Sequence, residues 1–315
     1  IRTYYQGGWG FACSNLITRD EIKRVAALSV RIAKASAASI KKIIPLTPVK
    51  AYVDHWQTSY KKNPFKIPIE KKVELLLNTN KEMLKVKDIV RVTSYMGFES
   101  EHKYFASSTG SFIEQEIMRT NASARAVARK KGEVKTRSYQ IAPLNIGYEH
   151  IEAVDMPGNA RRIAEEAVEH CLAVKGPVGK KDLILSPSHL ALTIHESVGH
   201  ATELDRALGF EADFAGTSFA TPEKLNKLKY GSKLVNLTCD RNQPNGRSTV
   251  GYDDEGVKTG KYYNVKDGIF VGYSTTREFA PMIGKNESRG CAYADSWSSV
   301  PILRMANICL EPGGK

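Results

Sequence analysis

His195-Glu196-Ser197-Val198-Gly199-His200 places two imidazoles and a carboxylate within six residues. Imidazole nitrogens are good zinc ligands, and a carboxylate beside a zinc-bound water is the usual general base of peptide hydrolysis. The spacing is His-Glu-three-His rather than the commoner His-Glu-two-His. In a regular α-helix, residues five apart point about 140° away from each other. The two rings meet on one ion only if the helix loosens by a residue, as a π-bulge does, or bends. Gly199, just before the second histidine, permits such a bend. The metal reading therefore requires a distortion at Val198–Gly199. Two helix histidines without metal, one hydrogen-bonded in the core and one at the surface, would give the same string.

The elements that must carry this string are readable around it. Leu190-Ala191-Leu192-Thr193-Ile194 has the look of one face of a buried helix. Ser186-Pro187 supplies an N-cap and a first-turn proline, and Gly209 supplies a stop, so the helix is expected to run to Leu208. Asp182–Leu185 reads as a short buried strand before it. After it, strands are expected at Leu234–Thr238, Ile269–Tyr273 and Ile302–Leu310, separated by turns rich in Gly and Asp.

Upstream, residues 1–13 read as a strand and turn hinged at Gly7-Gly8-Trp9-Gly10. Thr18 and Glu21 form a capping box, and Ile22, Val25, Leu28 and Ile32 mark the buried stripe of the helix that follows. Residues 41–48 connect, and 51–68 are extended and interrupted by Pro64 and Pro68. Ile69 to Leu84 reads as an amphipathic helix with Val73, Leu76, Leu77 and Leu84 inward. Residues 89–141, with a turn at Ser107–Ser111, read as an antiparallel meander. Asn159 to Val174 is a further helix facing inward through Ile163, Ala164, Ala167, Val168, Cys171 and Leu172, with Gly176 to end it. The fold class is α+β: a mixed α/β region over 1–48, a middle α+β domain with the meander over 49–157, and a β-rich C-terminal domain built around the motif helix over 158–315.

The chain of 315 residues is 42% apolar, enough to bury a core, and has no apolar run of about 18 residues that would span a membrane. It begins at Ile1 and shows no secretory signal; its true N-terminus is expected to lie upstream. Cys13, Cys171, Cys239, Cys291 and Cys309 are odd in number and unpaired in spacing, which argues against a disulfide framework and fits a reducing cytoplasm. The net charge of +12 is lopsided. Residues 1–150 hold 26 Lys and Arg against 13 Asp and Glu, whereas the remainder is nearly balanced. A basic face can bind nucleic acid. These charges are dispersed and no aromatic-interleaved RNA motif accompanies them, so a solvated lysine-rich surface is the favoured reading.

Other residues carry smaller expectations. Asp253-Asp254-Glu255-Gly256 could take a cation or a peptide amino end, but an acidic turn between strands is the plainer reading. Arg304 and Asn307 could contact substrate or simply hold the fold. His189 is expected at the surface. His55, His102, His150 and His170 have no ligand-like neighbours in the sequence and are read as incidental.

Several of these segments together resemble the TldD branch of the TldD/PmbA family, once named modulators of DNA gyrase and now regarded as zinc metallopeptidases. The resemblance rests on His195–His200, then Phe214-Ala215-Gly216-Thr217-Ser218-Phe219, Gly251-Tyr252-Asp253-Asp254-Glu255-Gly256, Lys266-Asp267-Gly268-Ile269 and Pro301-Ile302-Leu303-Arg304-Met305-Ala306-Asn307. Upstream, Gly7-Gly8-Trp9-Gly10-Phe11-Ala12 and Phe105-Ala106-Ser107-Ser108 agree, in the family's order. It implies that His195 and His200 ligate Zn2+, that Glu196 is the general base, and that the C-terminal domain is catalytic. The family's third ligand is a cysteine in a Gly-rich segment near the far C-terminus. Cys239, Cys291 and Cys309 do not lie in such a segment, so that ligand is expected beyond Lys315.

The resemblance further implies hydrolysis of peptide bonds in unfolded proteins or short peptides, in the cytoplasm, by a homodimer or by a heterodimer with a related subunit. Other readings stay open on the residues alone: a non-enzymatic protein that binds nucleic acid or topoisomerase through the basic half, or an inactive scaffold subunit.

Overall fold

A computed structural model describes residues 1–313. Strands β1 (Arg2–Tyr5) and β2 (Gly8–Phe11) form an antiparallel hairpin that lies on helix α1 (Arg19–Ala37). Thr18 caps α1 by accepting from the Glu21 amide at 3.3 Å. The buried stripe is Val25, Ser29 and Ala33, not the series through Ile22 and Ile32, both of which are exposed. The reason is the hairpin. A Cβ on Gly10 would stand 1.9 Å from the Ser29 carbonyl oxygen, so the hairpin backbone sits directly on the small residues of α1.

The middle of the chain is one sheet with two helices on it. Strand β3 (Val53–Gln57) runs parallel to β5 (Phe112–Lys130), and β4 (Ile89–Ala106) and β6 (Glu133–Leu144) pair with β5 antiparallel. The expected meander is therefore present and gains a parallel edge strand. Helix α2 spans Ile69–Leu84, as its periodicity predicts, but Val73, Leu77 and Leu84 are exposed, and Thr79 and Met83 are the buried positions. The helix is rolled toward α4 (Met156–His170), which follows the short α3 (Glu149–Ala153). Alternate residues Ala122, Ala124, Ala126 and Ala128 of β5 present a flat, small-residue floor to Met83, Met156, Ala160, Ile163, Ala164 and Ala167. The expected division at residue 157 thus falls inside this packed layer. The helix starts and ends a few residues earlier than expected, and Leu172, placed on its inner face from sequence, is exposed.

Asp182–Leu185 is not a strand. It pairs with no described segment, and Leu183 and Ile184 are 78% and 99% exposed. Ser186 and Pro187 do open a helix, α5 (Pro187–Ile194), but it does not continue to Leu208. It passes into a π turn, His195–Gly199, then a 3-10 turn, His200–Thr202. Glu203 is extended, and a single turn, α6 (Leu204–Ala207), precedes Gly209, whose φ is +84°. The interruption has a tertiary cause: Ser274 donates to the Thr202 carbonyl at 2.9 Å and accepts from the Leu204 amide at 3.2 Å, pulling residue 203 into a bridge.

The C-terminal sheet is antiparallel in the order β12 (Asn307–Leu310), β7 (Leu237–Asp240), β8 (Lys261–Lys266), β9 (Ile269–Phe270). A second small sheet pairs β10 (Ala292–Tyr293) with β11 (Ile302–Leu303). The strand expected over Ile302–Leu310 is thus two strands in different sheets, with Arg304 between them. The first turn of the motif packs on this region through Val198, which meets Leu237 and Val265. Central and C-terminal parts are clamped together by Gln115, whose side chain donates to the Tyr252 carbonyl at 3.1 Å and accepts from its amide at 3.0 Å.

Candidate metal centre

The distortion required by the five-residue spacing is present. His200 donates its backbone N–H to the His195 carbonyl, an i to i+5 bond that adds one residue to the turn. The two rings then stand edge to face with centroids 4.7 Å apart. A ligand atom from each of His195, Glu196 and His200 lies within 4.8 Å of the others. Carbonyls that lose their helical partners find others: Thr202 Oγ1 donates to the Val198 oxygen at 2.8 Å and Tyr230 Oη to the Ser197 oxygen at 3.0 Å. Asn264, fully buried, donates in turn to Thr202 Oγ1.

Gly199 serves this turn differently from the expected hinge. Its φ and ψ of −54° and −63° are ordinary helical values. The glycine leaves room for Met305: a Cβ at position 199 would lie 2.6 Å from its Sδ, and the thioether would have to move aside.

His200 is oriented from behind. Its Nδ1 lies 2.8 Å from Glu203 Oε2, and Glu203 is only 1% exposed. The same carboxylate accepts from Arg206 Nη2 at 3.2 Å and, through Oε1, from the Met305 amide at 3.1 Å. Arg206 is itself tied to the Ala215 carbonyl at 2.7 Å. Arg206 Nη2 also lies 3.2 Å from Nδ1. A carboxylate at Nδ1 favours the tautomer that donates there and leaves the Nε2 lone pair outward, the arrangement found behind metal-bound histidines. Glu203 was not singled out from the sequence. Its signal was there, an acidic residue three positions after the second histidine, but its role depends on the extended kink that turns it back. Asp205, next to it and buried, has its carboxyl pushed up to about 7, chiefly by burial and then by the negative neighbours Glu203 and Glu211.

His195 and Glu196 are open to solvent, with side chains 45% and 62% exposed, and His195 Nε2 lies 4.0 Å from Glu196 Oε1. The donor set fits zinc: two imidazoles, one fixed by a buried carboxylate, and a free carboxylate beside them. Cys239, Cys291 and Cys309 are not in this group. Cys239 and Cys291 are fully buried, and burial pushes the Cys239 thiol up to about 12. Cys309 Sγ lies 2.8 Å from Gln243 Oε1.

The remaining sequence candidates are structural. Asp253 accepts from the amides of Glu255, Val257 and Ala292 at 2.9, 2.9 and 3.0 Å, Asp254 pairs with Lys103 at 2.9 Å, and Glu255 pairs with Arg2 at 3.0 Å. The acidic turn is therefore spent on protein donors. Asn307 pins β12 by donating to the Asp240 carbonyl at 2.8 Å and accepting from the Ser248 amide at 2.8 Å. Arg304 donates to its own neighbour's carbonyl at 3.4 Å, and its backbone amide bonds to Cys291 at 2.9 Å. His189 is exposed, as expected.

Known proteins are similar to this chain along nearly its whole length. Residues 178–315 match the model of the PmbA/TldA metallopeptidase C-terminal domain, and residues 62–173 that of the central domain. A metalloprotease of Methanocaldococcus jannaschii is 32% identical over 320 residues, covering 99% of this chain and 66% of that protein. A zinc metalloprotease TldD homologue of Saccharolobus solfataricus is 25% identical over 317 residues, covering 99% of this chain and 66% of that protein. This chain thus spans just under two thirds of the length of those relatives. Among solved structures, a protein described as a modulator of a DNA gyrase from Thermotoga maritima superposes with a TM-score of 0.75 at 17% identity, over 100% of this chain and 66% of that one. TldE from Thermococcus kodakarensis gives a TM-score of 0.70 at 21% identity, over 100% and 67%. The last two establish the fold. With both family models matched in order and the metalloprotease relatives aligned along nearly the whole chain, this polypeptide belongs to the TldD/PmbA family.

Proposed function

We propose that the chain carries the catalytic centre of a zinc metallopeptidase, with His195 and His200 as ligands and Glu196 as general base. The observation that carries this reading is the π turn, which brings rings five residues apart to a centroid separation of 4.7 Å while Glu203 holds Nδ1 of the second. Single π turns of this kind occur frequently at functional sites, and this one puts both imidazoles on the same side as Glu196. Zinc, when bound, supplies Lewis acidity that polarises a peptide carbonyl and acidifies water.

The chain's own residues supply the rest. Glu196, exposed beside the imidazoles, accepts the proton of the attacking water and returns it to the leaving amine. Two imidazoles leave positions for a further protein ligand, which the resemblance assigns to a cysteine, and for water. The substrate class we propose is an unfolded protein or short peptide, cut in the cytoplasm by a homodimer or by a heterodimer with a related subunit. Among the described residues no helix is long and apolar enough to cross a membrane.

Zinc binding measured on the complete protein tests the ligand assignment. His195→Ala and His200→Ala should each weaken the binding of one zinc equivalent at least tenfold. Zinc held equally well by both variants would overturn it.

A further inference from the structure

Two histidines that looked incidental in the sequence meet two glutamates on the central sheet, far from the motif. Strand β5 carries Glu114 and Glu116 on its solvent face, two residues apart and so on the same side. The parallel register sets His55 of β3 beside Glu114, and the antiparallel register sets His102 of β4 beside Glu116. The side chains reach diagonally. His55 Nε2 lies 3.2 Å from Glu116 Oε1, and His102 Nε2 lies 2.6 Å from Glu114 Oε1. One ligand atom from each of His55, Glu114 and Glu116 lies within 4.8 Å of the others, and His102 meets this group through Glu114 alone. The His102 ring rests against Tyr104, centroids 4.5 Å apart, which limits where it can turn.

The surrounding charges point the same way. The acidic residues nearest on β4 have strong cationic partners: Glu99 and Glu101 meet Arg119 at 2.6 and 3.1 Å, and Lys103 meets Glu101 at 3.4 Å. Among the described residues, Glu114 and Glu116 have no lysine or arginine partner; they meet the two imidazoles, and Glu114 also meets the Tyr104 hydroxyl.

We propose that His55, His102, Glu114 and Glu116 form a second divalent-metal site, for a zinc-class ion, that staples the edge strand β3 to β5 and β4. Two imidazoles and two carboxylates suit zinc, cobalt or nickel and not calcium or magnesium, which prefer oxygen ligands throughout. A tetrahedral ion with bonds of about 2.0–2.1 Å needs ligand atoms about 3.3–3.4 Å apart. His55, Glu114 and Glu116 offer three such atoms within 4.8 Å of one another, and His102, now bonded to Glu114, would complete the set by turning its ring from that carboxylate to the ion. The site is open to exchange and lies outside the motif, so it stands whether or not the peptidase reading does.

The probe is zinc alone, titrated against a chromophoric chelator into a chain already carrying His195→Ala and His200→Ala. About one zinc should still bind at micromolar free metal. Adding His55→Ala and His102→Ala should weaken that binding at least tenfold, and zinc should raise the melting temperature of the first variant but not the second. Circular dichroism confirms that both remain folded, and Glu114→Gln with Glu116→Gln gives a second route that leaves both imidazoles in place. Absence of binding below millimolar zinc in the first variant would overturn the site. So would binding that survives both sets of substitutions.

Discussion

Glu203 faces His200: its buried carboxylate lies 2.8 Å from Nδ1 and is held in turn by Arg206 and the Met305 amide. This orients the ring plane before any metal arrives and favours the tautomer that donates from Nδ1. Partners behind metal-bound histidines are typically worth about 10- to 100-fold in metal affinity. Glu203→Ala should weaken zinc binding by about that factor. Glu203→Gln, which keeps an acceptor oxygen toward Nδ1, should lose less. Chelator competition on the two variants checks this, and equal affinities for wild type and Glu203→Ala would remove Glu203 from the account.

Gly199 and Met305 form a steric pair. Gly199→Ala puts a methyl 2.6 Å from Met305 Sδ, and overpacking of this kind costs about 1–3 kcal/mol. Met305→Ala should rescue most of the loss in the double variant. Urea unfolding of the four proteins in a double-mutant cycle measures the coupling, and additive effects would show that the contact is not what demands glycine.

Asp205 gives a pH dependence with a definite sign. Its carboxyl titrates near 3.9 in an unfolded chain and is pushed up to about 7 in the fold, mainly by burial. Its stabilising contribution is complete below about pH 4. As pH rises toward 7 the unfolded chain releases the proton while the folded chain keeps it, so stability is lost through that window. Asp205→Asn retains an acceptor for the Arg206 amide, 2.7 Å away in the wild type. It should melt above wild type at pH 7.5 and level with it near pH 4. Melting curves across that range decide, and a difference independent of pH would contradict the shifted carboxyl.

Much of the frame was legible because it is local. Thr18, the bounds of α2 and the turn at Ser107–Ser111 announce themselves through caps, periodicity and turn chemistry. So did the motif's distortion, which follows from the angle between residues five apart. What was not legible depends on partners distant in sequence. The inward faces of α1 and α2 are chosen by the hairpin and by α4, so Ser29 and Thr79 are buried where Ile22 and Leu77 are not. Leu183 and Ile184 are apolar, but β propensity makes no strand without a neighbour to pair with. Glu203 acquires its role only when Ser274 pulls the chain straight, and His55 meets Glu116 only through a register that joins residues 61 positions apart.

The central claim is that Glu196 moves the proton in peptide hydrolysis at a zinc held by His195 and His200. Its most direct measurement is peptide cleavage by the complete protein and its Glu196→Gln variant, with zinc content determined on the same samples. The account predicts a loss of at least about 100-fold in rate, within the range that positioned general bases contribute, with zinc retained. Cleavage by Glu196→Gln at the wild-type rate, with zinc in place, would contradict it.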